Sequence, residues 1–201
     1  MKRKGKKGIA LMITGCLLFF SAVALSLYNY YSEYKAGVNS SSVIEYLEPE
    51  QISTESENSI PDYVLNPDMS LPVKEIDSHE YVGKIEIFSL GIELPVIKEW
   101  SYPNFRIAPC VYEGTPYKND FIVAAHNYRY HFGNIKQMAE GDKLTFTDMH
   151  GNSFDYEVSY IEILDRNSVS ELKDGEWDMT LFTCTPGGRS RVVVRCAAIE
   201  K

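Results

Sequence analysis

The chain has 201 residues and 44% hydrophobic residues, enough for one folded domain with a sizeable core and some accessory segments. Its formal net charge is −8. Five basic residues precede the first acidic one, so the remainder is more acidic still; they are Lys2, Arg3, Lys4, Lys6 and Lys7. This balance argues against nucleic acid as a partner, because neutralising phosphates requires clustered Lys and Arg.

An apolar segment follows this basic start. Residues 9–28 carry no charged side chain, and a helix of that length, at ~1.5 Å per residue, spans roughly the 30 Å hydrocarbon core of a bilayer. A cleaved signal peptide is the alternative, although its apolar core is usually only about 7–15 residues long. The basic flank predicts a cytoplasmic tail over 1–8, a transmembrane anchor over 9–31 and an extracellular remainder, so that the protein is a single-pass protein of the cell membrane.

A polar segment over 32–77 is predicted to be an extracellular stalk or linker. It contains a run of Asn and Ser over 39–42, scattered Glu, Pro and Asn, and few aromatic residues. Such a composition buries too little apolar surface to offset the entropy lost on ordering, although helical turns are possible near 43–47. The folded domain is therefore expected over 78–201.

The pattern changes to short strands from residue 81. Alternating or continuous apolar residues predict strands over 81–87, 92–97, 121–125, 143–147, 153–164, 180–184 and 191–199. Residues 149–152 give a hairpin signal, 101–117 is expected to be loop with one helical turn, 132–138 to contain helical turns, and 168–172 to be a short helix. Seven or eight short strands separated by turns indicate an all-β barrel or sandwich.

Three residues stand at predicted strand ends and carry groups suited to chemistry. Cys184 ends an apolar strand and precedes the loop sequence TPGG, His126 follows the strand over 121–125, and Arg191 opens the strand that contains Val192. Taken singly, each has an ordinary interpretation: a buried thiol, a surface histidine and a solvated arginine. Together they match a Cys–His catalytic site, if the strand ends converge.

The remaining cysteines and histidines give weaker signals. Cys16 lies in the anchor, and Cys110 and Cys196 form neither a CxxC pair with Cys184 nor one with each other, a spacing that argues against a zinc site. An odd number of cysteines outside the anchor leaves at least one free thiol, while a disulfide between Cys110 and Cys196 stays open. No role is assigned to the other histidines, His79, His131 and His150.

These residues resemble a known family. The sequence TLFTC over 180–184, followed by RVVV over 191–194, resembles the sortase signature, a TLxTC strand followed by an Arg that opens the next strand. VAAHN over 123–127 resembles the segment that carries the sortase histidine, and the resemblance extends over 81–201. Phe88 stands where many sortases have Pro, and the short Cys-to-Arg spacing leaves Arg189 as an alternative to Arg191.

The resemblance implies an eight-stranded sortase-type β-barrel that acts as a cysteine transpeptidase. Cys184 would attack the scissile carbonyl of an LPxTG-like sorting signal, His126 would serve as acid and base, and Arg191 would stabilise the oxyanion. Thr183 and Asn127 would contact the substrate. The chemistry needs neither a metal nor another cofactor; some sortases use calcium, but the sequence contains no tight ligand cluster.

The partners implied are sorting-signal peptides of secreted proteins and an amine of a peptidoglycan precursor or of a pilin, with the membrane contacted through the N-terminal helix. The short connection over 165–178 and the chain end directly after the last strand favour a wall-anchoring or sporulation-related role, with pilus assembly left open. A hydrolase using the same residues and a non-enzymatic anchored binding module are the alternatives. An amine-dependent ligated product would distinguish a transpeptidase from the hydrolase. A function that is unaffected by Cys184→Ala would indicate the binding module.

Overall fold

The computed structural model describes residues 3–47, 60–175 and 177–199. The chain divides into two compact units, Met1–Lys35 and Ala36–Lys201. Helix α1 (Arg3–Tyr46) contributes to both. Its apolar part is long and apolar enough to cross a membrane, judged by length and composition. The apolar N-terminal helix is therefore confirmed and fits membrane anchoring, whereas the side on which each end lies stays a prediction.

The second unit contains three further short α-helices and nine strands within the described residues. The helices are α2 (Asp62–Leu65), α3 (Tyr102–Phe105) and α4 (Val169–Lys173). The strands are β1 (Lys74–Ile76), β2 (His79–Ile87), β3 (Ile92–Ile97), β4 (Cys110–Glu113), β5 (Phe121–Ala124), β6 (Lys143–Asp148), β7 (Ser153–Asp165), β8 (Met179–Cys184) and β9 (Ser190–Ala198).

Eight of these strands close into a barrel. Their order is β2-β3-β4-β5-β8-β9-β7-β6, and pairing of β2 with β6 closes the ring, while β1 lies outside it against β2. The β3–β4 and β5–β8 pairs are parallel and the others antiparallel. The predicted eight-stranded barrel is thereby confirmed.

Strands β5, β8 and β9 are buried on both faces. Alternation along each strand points one set of side chains, such as Val123, Leu181 and Val194, into the barrel. The other set faces outward but is covered by Leu172 of α4 and by nearby aromatic rings, so that Phe182 is also buried. This double burial explains why these strands are continuous apolar runs rather than alternating patterns.

The predicted stalk is wrong for residues 36–47, which belong to the folded unit. Ala36, Ser40, Val43 and Leu47 are all buried, and their spacing places them on one helical face. Val43 and Leu47 pack against a cluster on the barrel: Tyr81, Ile97, Ala108 and Cys110. Because this buried face is narrow and has polar neighbours, its hydrophobic periodicity is weak in the sequence. The described residues of 60–77 include α2 and β1, and the prediction for 48–59 lies outside the described residues.

Strand β4 is the second departure from prediction, since residues 101–117 were expected to contain only loop and one helical turn. The helical turn is present as α3, but Cys110–Glu113 forms a strand that pairs antiparallel with β5. It contacts β3 through a single pair, Ile97 with Cys110. The four residues of β4 lie between Pro109 and Pro116, and so short a segment shows too little hydrophobic pattern to indicate a strand. Its structure is decided by tertiary pairing.

Candidate active site

Strand register brings His126, Cys184 and Arg191 to one end of the same outer face. Cys184 is the partner of Arg191 in the β8–β9 pair. Ala124 is the partner of Phe182 in the β5–β8 pair, and His126 follows Ala124 by two residues, as Cys184 follows Phe182. Because side chains alternate along strands, all three residues point outward at one level. Sequence spacing alone could not establish this convergence.

Cys184 is the accessible thiol of the folded unit. All of the cysteines are free; Cys184 is half-buried, whereas Cys110 and Cys196 have no exposed surface. Burial raises the pKa of both interior thiols to about 12, so neither forms a thiolate readily. The disulfide left open by the sequence is absent, and Cys184 is the candidate nucleophile of this unit.

His126 lies in a half-buried aromatic setting. Its ring stacks on Tyr128 with centroids 4.0 Å apart and lies 5.6 Å from the ring of Phe105. Burial lowers the pKa of His126, the positive charge of Arg106 lowers this pKa further, and a hydrogen bond with the Asn127 side chain opposes both effects. The neutral imidazole is therefore favoured more strongly at neutral pH than for a free histidine.

Arg106 provides a test of this electrostatic setting. Arg106→Gln is expected to raise the pKa of His126, because it removes a positive charge that disfavours the imidazolium, while Arg106→Lys should leave that pKa near its wild-type value. NMR titration of the His126 ring protons measures the change directly. Since Arg106 is exposed, the difference should shrink at high salt. A lower pKa in Arg106→Gln would contradict the sign of the assigned interaction.

Arg191, and not Arg189, faces Cys184. The Arg191 guanidinium lies 5.9 Å from the Phe182 ring centroid and donates a hydrogen bond to the carbonyl of Arg166. Arg189 is exposed in the loop before β9. Because a guanidinium has several N–H donors, the contact with Arg166 leaves Arg191 donors for a ligand.

The two predicted substrate-binding residues, Asn127 and Thr183, have different surroundings. Asn127 is half-buried beside His126, to which its side chain is hydrogen-bonded. Thr183 is 2% exposed, and its hydroxyl donates to the carbonyl of Ala125 over 2.8 Å. Its position in the strand points the Thr183 side chain into the barrel, away from the face of Cys184, and a substrate contact by Thr183 stays a prediction. The hydroxyl ties the end of β8 to the residue preceding His126.

Arg195 holds α4 against the outer face. It lies four residues after Arg191 in β9, so its side chain points to the same outer face, yet it is only 3% exposed. It donates to Glu162 Oε1 over 2.9 Å and to Thr180 Oγ1 over 3.2 Å. It also donates to the carbonyls of Leu172 and Glu171 in α4, each over 2.7 Å. These bonds fix a wall of the face that leads to Cys184.

Arg195→Met is expected to lower the free energy of unfolding by about 3 kcal/mol, the lower end of the range for breaking a buried ion pair, because Glu162 keeps partial contact with water. Urea unfolding followed by circular dichroism would measure the loss. The exposed Arg189→Met is the matched control and should remain within about 0.5 kcal/mol of wild type. Equal stability of the two variants would contradict the role assigned to Arg195.

A cavity lies on the same outer face, away from the level of His126, Cys184 and Arg191, which is called the catalytic level below. It has a volume of about 310 Å³, and its lining includes Ile122, Leu172, Trp177 and Arg195. Ile122 lies four residues before His126, and Thr180 lies four residues before Cys184. Arg195, on the antiparallel strand β9, lies four residues after Arg191. At ~3.3 Å per residue this cavity is roughly 13 Å from the catalytic level along the strands.

Phe105, Arg106 and Tyr128 are neighbours of His126 that sequence analysis missed. Phe105 ends the four-residue helix α3, Arg106 follows it and Tyr128 lies in a loop, so that no periodicity marks these residues as part of a site. Only the proximity of Tyr128 to His126 in sequence could have suggested a contact. Within the described ranges, no group of three or more His, Cys, Asp or Glu residues is arranged to hold a metal ion.

Comparisons with known proteins identify a family. The family model for the Sortase domain matches residues 85–199. Sortase A of Bacillus anthracis is 26% identical over 115 residues, which are 54% of each chain, so the chain spans about half the length of this curated relative.

Two solved structures are similar. Clostridium perfringens sortase C with its C-terminal cell wall sorting motif has a TM-score of 0.54 at 26% identity, covering 73% of this chain and 80% of that one. Clostridium perfringens Sortase D5 transpeptidase has a TM-score of 0.55 at 20% identity, covering 71% and 91%. The second shows likeness of fold.

Proposed function

The chain belongs to the sortase family, and from this premise we propose that it is a membrane-anchored cysteine transpeptidase that cleaves an LPxTG-like sorting signal and joins the acyl product to an amine. The observation that carries the proposal is the strand register that sets Cys184 opposite Arg191 and level with His126. The half-buried thiol at the strand end supports a nucleophilic role, because the scaffold holds it rigidly beside an open loop.

Cys184 forms the covalent intermediate. Its thiolate attacks the scissile carbonyl, and the electron pair of the carbonyl moves to oxygen, where Arg191 donates hydrogen bonds to the developing oxyanion. Collapse of the tetrahedral intermediate breaks the C–N bond and leaves a thioester on Cys184. His126 protonates the departing amine.

An amine completes the reaction. It attacks the thioester, His126 accepts its proton, and the new amide forms as the Cys184 thiolate leaves. The lowered pKa of His126 has a consequence here: the imidazolium needed in the first half is scarce, while the neutral imidazole needed in the second is abundant. A slow first half is compatible with substrate and enzyme held at one membrane.

The outer face of β5, β8 and β9 is the proposed binding surface for the sorting signal. An extended peptide rises ~3.3 Å per residue, so one lying along this face would extend from Cys184 to the cavity beside Trp177 in about four residues. Leu172 and Arg195 would form its floor and wall. The similar sortase C bound to its sorting motif supports a peptide substrate for this chain.

Incubation with a panel of LPxTG-like peptides tests the proposal. Each peptide is offered with and without an amine, either a glycine peptide or a diaminopimelate-type amine, and products are resolved by liquid chromatography and mass spectrometry. Amine-dependent ligation supports a transpeptidase. Cleavage that is unaffected by amine supports the alternative, a surface cysteine hydrolase in which water resolves the thioester. Peptide binding without any turnover would support the non-enzymatic binding module.

Localisation and acceptor complete the proposal. The basic residues before α1 support a cytoplasmic N-terminus with the barrel outside the cell. The acceptor is an amine of a peptidoglycan precursor or of a pilin, and the amine series in the same experiment distinguishes the two.

A further inference from the structure

Two segments provide the aromatic rings beside His126. Tyr128 belongs to the loop after β5, and Phe105 ends α3. The loop is closed on itself, because the Phe132 N–H donates to the His126 carbonyl over 3.3 Å and the Gly133 N–H donates to the Tyr128 carbonyl over 2.9 Å. A side chain at Gly133 would meet carbonyl oxygens at 2.7 Å, so this closure requires glycine.

His131 lies at the inner side of this loop and is completely buried. Its ring is 5.6 Å from Tyr128, on whose ring His126 is also stacked. Burial is the main cause that lowers the pKa of His131 to about 4, so it is neutral at physiological pH. A fully buried imidazole must have a hydrogen-bond partner to be tolerated, and the proposed reaction does not use this one.

The partner comes from the packed end of α1. Ser40 is 2% exposed, and its Oγ lies 3.3 Å from His131 Nε2 and 3.3 Å from the carbonyl oxygen of Ile107. Ser40 Oγ donates its single hydroxyl proton to the Ile107 carbonyl, and its oxygen can then accept a hydrogen bond from His131 Nε2. One serine therefore ties together the loop that contains Tyr128 and the segment that follows Phe105.

Close packing fixes Ser40 itself. Val43 and Leu47 on the same helical face are buried against the barrel. Gly37 lies so close to Tyr130 that a Cβ at this position would be 2.8 Å from its ring. The hydroxyl of Ser40 therefore has a defined place relative to both segments beside the candidate catalytic histidine.

We propose that Ser40 and His131 are positioning residues that hold Tyr128 and Phe105 against the ring of His126 and so set the orientation of its imidazole. The inference rests on the proposed function only in that His126 has a catalytic role; the contact network itself is independent of the reaction. Loss of either residue should loosen both flanking segments, and a misplacement of about 1 Å can cost up to 100-fold in rate.

The experiment uses the full chain in detergent micelles, with histidine labelled for NMR. Ser40→Ala removes the shared hydroxyl. Ser41→Ala and Ser42→Ala are matched controls, because these exposed serines donate only to carbonyls of their own helix, those of Gly37 and Asn39. The readouts are the ring-proton resonances of His126, which sense the stacked Tyr128 ring, and kcat and KM for a peptide and amine that the wild type ligates.

Ser40→Ala is expected to shift the His126 resonances and to lower kcat by about tenfold or more, with KM changed less than about twofold. Both controls should match wild type. A second pair guards against misfolding: His131→Leu should behave like Ser40→Ala, while His131→Gln, whose Nε2 can donate to Ser40, should recover at least part of kcat and of the wild-type resonances.

The inference is overturned if Ser40→Ala folds and shows the His126 resonances of Ser41→Ala. It is also overturned if kcat is unchanged and the whole loss of kcat/KM comes from a higher KM. Should Ser40→Ala fail to fold, wild-type resonances in His131→Leu would overturn it and recovery in His131→Gln alone would support it. If no peptide is ligated by the wild type, the proposed function fails, whereas the resonances still decide the positioning role.

Discussion

Cys184→Ala is expected to lose peptide cleavage and ligation by at least about 10³-fold, because the remaining groups cannot form the thioester without a nucleophile. The substitution should not unfold the protein, since Cys184 is half-buried at a strand end and leaves little space unfilled. Rates of peptide consumption and of ligated product, measured by liquid chromatography on matched amounts of folded protein, give the ratio.

Two other cysteines provide controls for this prediction. Cys16→Ala changes an exposed thiol in the apolar helix, and Cys110→Ala changes a buried thiol that is absent from the outer face. Both should remain within about threefold of wild-type activity, after correction of Cys110→Ala for any loss of folded protein. If Cys184→Ala kept a substantial share of the cleavage and ligation activity, the chain would act through another group, and the nucleophilic role proposed for Cys184 would be contradicted.

Arg191→Ala is expected to lower kcat by about 10²- to 10³-fold, the usual loss when one donor to an oxyanion is removed. KM should change less, because the oxyanion exists only in the transition state and the intermediate. Arg191→Lys should restore little of this loss, since an ammonium lacks the planar fork of the guanidinium. Steady-state kinetics with one peptide and saturating amine measure both constants.

Arg189→Ala is the matched control for Arg191. The two residues are separated by one position, but only Arg191 lies opposite Cys184 in the β8–β9 register. Arg189→Ala should therefore change kcat by less than about threefold. A reversed result, with Arg189→Ala the more damaging, would assign the oxyanion role to the loop and contradict the role proposed from strand register.

Strands that are long or apolar were predictable from sequence. Residues 180–184 and 191–199 gave β8 and β9 within a residue at each end, since buried strands are continuous apolar runs bounded by turns. The positions of Cys184, His126 and Arg191 at strand ends followed from the same pattern. Their convergence required the parallel β5–β8 pair, which joins residues far apart in the chain and leaves no local signal.

Other features depend on tertiary contacts. The packed end of α1 presents only one buried residue per turn, among polar neighbours that suggest a stalk. Thr183 looks like a substrate contact because it adjoins Cys184, but alternation turns it inward. Buried His131 could not be distinguished from a surface histidine, because the partner that makes its burial possible, Ser40, is 91 residues earlier.

Mapping the covalent intermediate tests directly whether Cys184 forms a thioester with the sorting signal. The full chain is mixed with a cleavable sorting-signal peptide in the absence of any amine, quenched in acid, and its intact mass and proteolytic fragments are determined. We expect a mass increase equal to the acyl part of the peptide, located on Cys184, removed by hydroxylamine as a thioester should be and absent in Cys184→Ala. Cleavage of the peptide with the acyl group on another residue, or with no covalent adduct at any time during turnover, would contradict it.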